Sequence, residues 1–257
     1  MNALVRILSL PACYLSRLPG CGPLVRACST SVGQKILMAI TGLSLCGFLV
    51  AHLAGNLKLF AGEQDFNQYA AMLHSLGPAL AAAETGLFVV FVAHLGLALS
   101  TTAMSRAART QAYEVMESKQ GVFALPQGGA SGWMLVTGAV VLVFLVCHLI
   151  DLRLKVNPFV DYRPAVAAGA AGSAGGHVNE FLAVRQVLTS SPSRYIYLLG
   201  LVALGIHLAH GVQSALQTLG ISHRRWNPLF RLISLLFAWG IAVGFISLIA
   251  WAHAVNR

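Results

Sequence analysis

Charge is what this sequence has least of: only 10% of its residues are Asp, Glu, Lys or Arg, and acids number 8 in 257. A water-soluble domain carries roughly a quarter charged residues, so the chain does not have a soluble surface. Cysteine is nearly as uninformative. The five (Cys13, Cys21, Cys28, Cys46, Cys147) show no C-x-x-C spacing, which argues against a zinc site or a disulfide framework and leaves packing residues and free thiols. The basic excess of +9 is scattered through short connections and ends, with no basic patch, and so gives no nucleic-acid partner. Intramembrane carboxylates are also scarce. Only Glu84 and Asp151 come near an apolar run, both at its end, whereas a transporter or proton pathway usually needs acids inside.

What is present is apolar length. Hydrophobic residues make up 57% of the chain, with mean hydropathy +0.73, and they gather in five runs at 36–60, 79–104, 131–152, 194–219 and 229–252. Each is long enough to cross a bilayer as a helix. The expected fold is an all-α membrane protein, one domain over 35–253, with five transmembrane helices forming a bundle. Residues 1–34 form an acid-free, Arg-bearing extension. It reads as a cytoplasmic tail lying partly on the membrane surface, with an organellar transit peptide as the alternative. The segment 165–176, AVAAGAAGSAGG, lacks large side chains and is expected as a flexible insert in the third loop. Counting Lys and Arg near the span ends, ten against seven, puts the N-terminus inside.

Histidine is costly in hydrocarbon, and four spans carry it centrally: His52, His94, His148 and His207. His52 lies seventeen residues after Lys35 and His148 seventeen after Ser131, both about 25 Å from the inner face at 1.5 Å per residue. His94 lies sixteen residues after Pro78 and His207 thirteen after Arg194, both roughly 20–24 Å from the outer face. The four therefore form two depth-matched pairs. Two histidines from different helices at one depth suit a six-coordinate haem b, and the levels would differ by on the order of 14–18 Å. His210 competes with His207 in the fourth span, since one helix would not aim both at one iron. Glycines and other small residues, among them Gly55, Gly200 and Gly211, suit either room for a macrocycle or close helix packing. The remaining histidines (His74, His177, His223, His253) are expected in solvent.

The runs SVGQKILMAITGL…HLAGNLKLF (Ser31–Phe60), QYAAMLHSLGPALAAAETG (Gln68–Gly86), VAHLGLAL around His94 and IHLAHGVQSALQTLG (Ile206–Gly220) resemble the five-helix, dihaem cytochrome b subunit of succinate dehydrogenase and fumarate reductase. The similarity covers about residues 31–253. In that family the haem histidine of the fourth span stands four residues before a glycine, which selects His207 with Gly211. The resemblance implies that His52 and His148 hold the distal haem and His94 and His207 the proximal one. It implies a membrane-anchor subunit of succinate:quinone oxidoreductase, a component of respiration and the tricarboxylic acid cycle. Its partners would be a flavoprotein subunit and an iron–sulfur subunit, and electrons would pass through two haems b to a quinone, menaquinone in most such members. A bacterial inner (cytoplasmic) membrane is the implied location, with no succinate site on this chain. Glu63 and Glu84 are candidates for the quinone site on the outer side. One departure stands out: members of this family can carry a glutamate two residues before the fourth-span histidine as a proton route, and Gly205 occupies that position here. The competing readings are a cytochrome b of another quinone-linked complex, such as a hydrogenase or formate dehydrogenase, and a non-haem membrane transporter.

Overall fold

The computed structural model describes residues 30–108, 130–172 and 178–255. Among these there is no strand. Eight α-helices follow in order: α1 Ser31–Asn56, α2 Glu63–Ser75, α3 Pro78–Ala107, α4 Ala130–His148, α5 Arg163–Gly172, α6 Glu180–Thr189, α7 Ser191–Thr218 and α8 Asn227–Val255. Five of them (α1, α3, α4, α7 and α8, α1 and α4 with their short continuations) are long and apolar enough to cross a membrane. The fold is an all-α bundle of membrane-spanning type.

Local chemistry sets the helix ends. Thr30 Oγ1 accepts from the Gly33 amide at 3.0 Å and caps α1. Glu63 and Asp65 occupy the first turn of α2, where an acid meets the positive end of the helix dipole. Gly77 breaks the chain at φ 51 before Pro78 opens α3, the position where a missing amide proton costs nothing. The end of α4 is different. It widens into a π-helical turn, Leu149–Leu154, closed by Lys155 in the left-handed region at φ 54. Such turns re-aim the side chains that follow them.

The loops hold more order than their composition suggests. The first loop contains α2 and the third contains α5 and α6. The Ala/Gly segment expected as a flexible insert is helical up to Gly172, and residues 173–176 lie outside the described residues. Alanine has the highest helix propensity, and the Asn179 amide donates to Ala165 O at 3.0 Å, which holds α5 beside the start of α6. The extension 1–29 and most of the second connector also lie outside the described residues.

By contacts the chain forms two compact units. Among the described residues one holds 30–47, 83–108, 130–132 and 210–232, and the other 48–82, 133–172, 178–209 and 233–255. The second unit holds most of the buried core, with Val187 and Leu188 of α6, Leu201 and Leu204 of α7, and Ala238, Ala242 and Ala252 of α8. Polar bonds close this unit. Asn67 of α2 donates to Asn179 Oδ1 at 3.0 Å and accepts from the Phe181 amide at 3.0 Å. Lys155 pairs with Glu180 at 2.7 Å.

Candidate functional site

Within the second unit, α1 and α4 bring His52 and His148 together. Their rings stand edge to face, 86° apart, with centroids separated by 5.9 Å. Aromatic side chains wall the pair: Phe48 stacks on His52 at 5.2 Å, Phe245 of α8 lies 5.6 Å from it, and Phe144 and Tyr197 lie 5.9 and 5.8 Å from His148. Two imidazoles bound to one metal at about 2 Å each would have ring centres on the order of 6 Å apart, so the pair matches the spacing of axial ligands. His148 Nδ1 is buried with no hydrogen-bond partner among the described residues. A buried polar atom left so costs about 1–3 kcal/mol, so the donor set here fits a group brought in from outside. Among the described residues no three His, Cys, Asp or Glu side chains gather as a site for a bare metal ion. Haem does not need such a group, because the porphyrin supplies four donors and the protein only the axial ones.

His94 and His207 belong to different units, and each is held in the same way. In the first unit His94 Nδ1 lies 3.1 Å from Thr41 Oγ1 of α1, and its ring lies against Gly42, where a Cβ would stand 3.2 Å from Cε1. In the second unit His207 Nδ1 lies 3.2 Å from Thr137 Oγ1 of α4, with Gly138 beside it and a Cβ there 3.4 Å from Cε1. The ring of His210 makes no hydrogen bond to another described residue. The two threonines were not among the sequence candidates, yet a signal for them exists. Thr41-Gly42 precedes His52 by the same eleven residues by which Thr137-Gly138 precedes His148.

Of the glycines that suit either reading, Gly55 and Gly200 stand in close packing. A Cβ on Gly55 would run into the Tyr69 ring, 2.7 Å from Cζ, and one on Gly200 would run into Phe144, 2.6 Å from its Cβ. Gly205 is also filled against: a Cβ there would meet Trp239 Cζ3 at 3.2 Å and Ala242 Cβ at 3.3 Å. Position 205 is thus packed tightly against α8.

Among the carboxylates, Glu63 is exposed and accepts from Asn179 Nδ2 at 2.6 Å, and Glu84 is exposed on α3. Asp151 is the group that the sequence undervalues. The π turn buries it to 2% exposure, its Oδ1 accepts from Asn157 Nδ2 at 2.5 Å, and Asn157 also donates to Ser193 at 3.1 Å. Tyr162 donates to the Asp151 carbonyl at 2.8 Å, and burial together with the Asp151 charge pushes its phenol up to about 12. His74 and His223 are exposed, His177 lies outside the described residues, and His253 departs from expectation: it is half-buried, its Nδ1 accepting from Arg194 at 3.1 Å. No family model, curated protein or solved structure matches this chain.

Proposed function

We propose that this chain is the membrane-anchor cytochrome b subunit of a succinate:quinone oxidoreductase, carrying two haems b beside a flavoprotein and an iron–sulfur subunit. Its place would be a bacterial cytoplasmic membrane with the N-terminus on the cytoplasmic side, in line with the distribution of Lys and Arg. The observation that carries the haem reading is the His52–His148 pair, two imidazoles from two helices at axial-ligand spacing, with a buried orphan nitrogen. The identity of the complex rests on the sequence resemblance.

His52 and His148 would hold one haem, and His94 and His207 the other. Haem supplies reversible one-electron chemistry, the link between an iron–sulfur partner and a quinone, menaquinone by the resemblance. The chain's own residues orient and insulate. Phe48, Phe144, Tyr197 and Phe245 keep water from the first pair, and a water-poor surrounding is one of the levers on haem potential. Glu63 and Glu84 remain the proposed proton groups for quinone on the outer side.

The test is purification of the chain with whatever accompanies it from its membrane. A b-type band reduced by succinate, with flavin and iron–sulfur subunits in the preparation, is the expected result. Haem reduced by another donor and not by succinate would assign the chain to a different quinone-linked complex. Absence of haem would end the reading.

A further inference from the structure

Resting on the haem reading above, we infer that Thr41 and Thr137 are positioning residues that hold His94 and His207 in the tautomer a metal requires. Each threonine has one hydroxyl proton and already faces backbone acceptors. Thr41 Oγ1 lies 2.9 Å from Leu37 O and 3.1 Å from Met38 O, and Thr137 Oγ1 lies 3.0 Å from Trp133 O and 3.2 Å from Met134 O. A hydroxyl that donates back to its own helix has only lone pairs for a third neighbour. Toward Nδ1 of the histidine, at 3.1 and 3.2 Å, it accepts. The imidazole proton therefore sits on Nδ1, and Nε2 carries the lone pair for iron. A metal-bound histidine is commonly fixed by the hydrogen bond its other nitrogen donates, and that bond makes the ring a stronger donor to the metal.

The duplicated spacing gives the inference its second support. Eleven residues are close to three turns, so in Thr-Gly-x9-His the threonine and the histidine share one helix face about 16 Å apart along the axis. One helix face can thus offer a seat at one level and a ligand at the other. α1 and α4 both do so, and the glycine of each pair lets the seated ring come close. Ordinary threonine packing explains a single such bond. It does not explain the same dipeptide, at the same distance from a ligand, receiving the next helix's histidine twice.

The experiment uses the whole complex and four variants, Thr41→Val, Thr137→Val, Thr41→Ser and Thr137→Ser. Valine keeps the shape and removes the hydroxyl; serine restores it. Loss of the Nδ1 bond weakens electron donation to the ferric state, so each valine variant raises the midpoint potential of one haem by up to about tenfold in its reduction equilibrium, or 59 mV for one electron. The other haem stays unchanged, and serine returns the parent value. Should a valine variant fail to assemble, nitrogen-15 histidine NMR of the reduced parent complex reads the tautomer directly, and Nδ1–H is expected at both positions. Unshifted potentials with full haem would overturn the inference while leaving the haem reading intact, and Nε2–H at His94 and His207 would overturn the inference together with their ligation through Nε2. A parent complex without haem would overturn both.

Discussion

His52 and His148 stand edge to face with their ring centroids 5.9 Å apart, and the buried Nδ1 of His148 has no partner among the described residues. Neither ring has an acid beside it among the described residues, and the one amide near it, Asn56 Nδ2, reaches His52 Nδ1 at a long 3.5 Å while donating to the His52 carbonyl at 2.9 Å. A pair built for an interhelical hydrogen bond would put nitrogen against an acceptor. This one is walled by Phe48, Phe144, Phe245 and Tyr197. Replacing either histidine by alanine is expected to remove the same haem, because a six-coordinate site needs both, and haem content per chain measured by pyridine extraction should fall from two to one in each variant.

Gly205→Glu should be more damaging than a change of one surface residue. Even the first carbon of the new side chain would stand 3.2 Å from Trp239 Cζ3 and 3.3 Å from Ala242 Cβ, and a carboxylate would follow it into an apolar contact between α7 and α8. Overpacking alone costs about 1–3 kcal/mol. The expected outcome is reduced yield of assembled complex, with partial recovery when Trp239→Ala is added. A glutamate at 205 accepted at full yield would show that α8 gives way there.

Gly55→Ala tests the packing of α1 against the first loop. Its methyl would be driven into the Tyr69 ring, with Cζ 2.7 Å away. A loss of about 1–3 kcal/mol is expected, seen as a lowered midpoint in thermal inactivation of the purified complex, and Tyr69→Ala in the same chain should restore part of it.

The polar knot after α4 makes a prediction of its own. Asp151→Ala leaves Asn157 Nδ2 with only Ser193 and should cost about 1–3 kcal/mol, whereas Asp151→Asn can still accept through its amide oxygen and should cost less. Tyr162 adds a pH signature. Its phenol is raised above the usual value of 10, so the neutral form is favoured in the folded chain. Burial first and the Asp151 charge second make ionisation harder in the folded chain, so the stability tied to the neutral phenol is complete below pH 10 and is lost as the pH rises toward 12. Tyr162→Phe should abolish that alkaline step in a stability titration.

The spans were legible because composition decides them: runs of some twenty apolar residues with almost no charge have one stable form in lipid. The proximity of His52 and His148 was legible from rise per residue alone, since His52 lies seventeen residues after Lys35 and His148 seventeen after Ser131. Other features were hidden for physical reasons. Thr41 and Thr137 look like ordinary small polar residues of a span until a second helix delivers a histidine to them. Asp151 looked like a carboxylate at a water-facing helix end, and only the π turn carries it inward to Asn157. Gly55 and Gly200 have the spacing of a cofactor groove, but the aromatic rings that fill it come from Tyr69 on α2 and Phe144 on α4. The helix at Arg163–Gly172 was obscured by its own glycines, which mask a local preference set by alanine and by the bond from Asn179.

The most direct measurement is a reduced-minus-oxidised spectrum, with haem stoichiometry, of the purified parent complex and of His52→Ala, His94→Ala, His148→Ala, His207→Ala and His210→Ala. Two b-type haems are expected in the parent. His52→Ala and His148→Ala should lose one and the same haem, His94→Ala and His207→Ala the other, and His210→Ala neither. A parent without a b-type band, or a His210→Ala variant that loses a haem which His207→Ala keeps, would contradict the account.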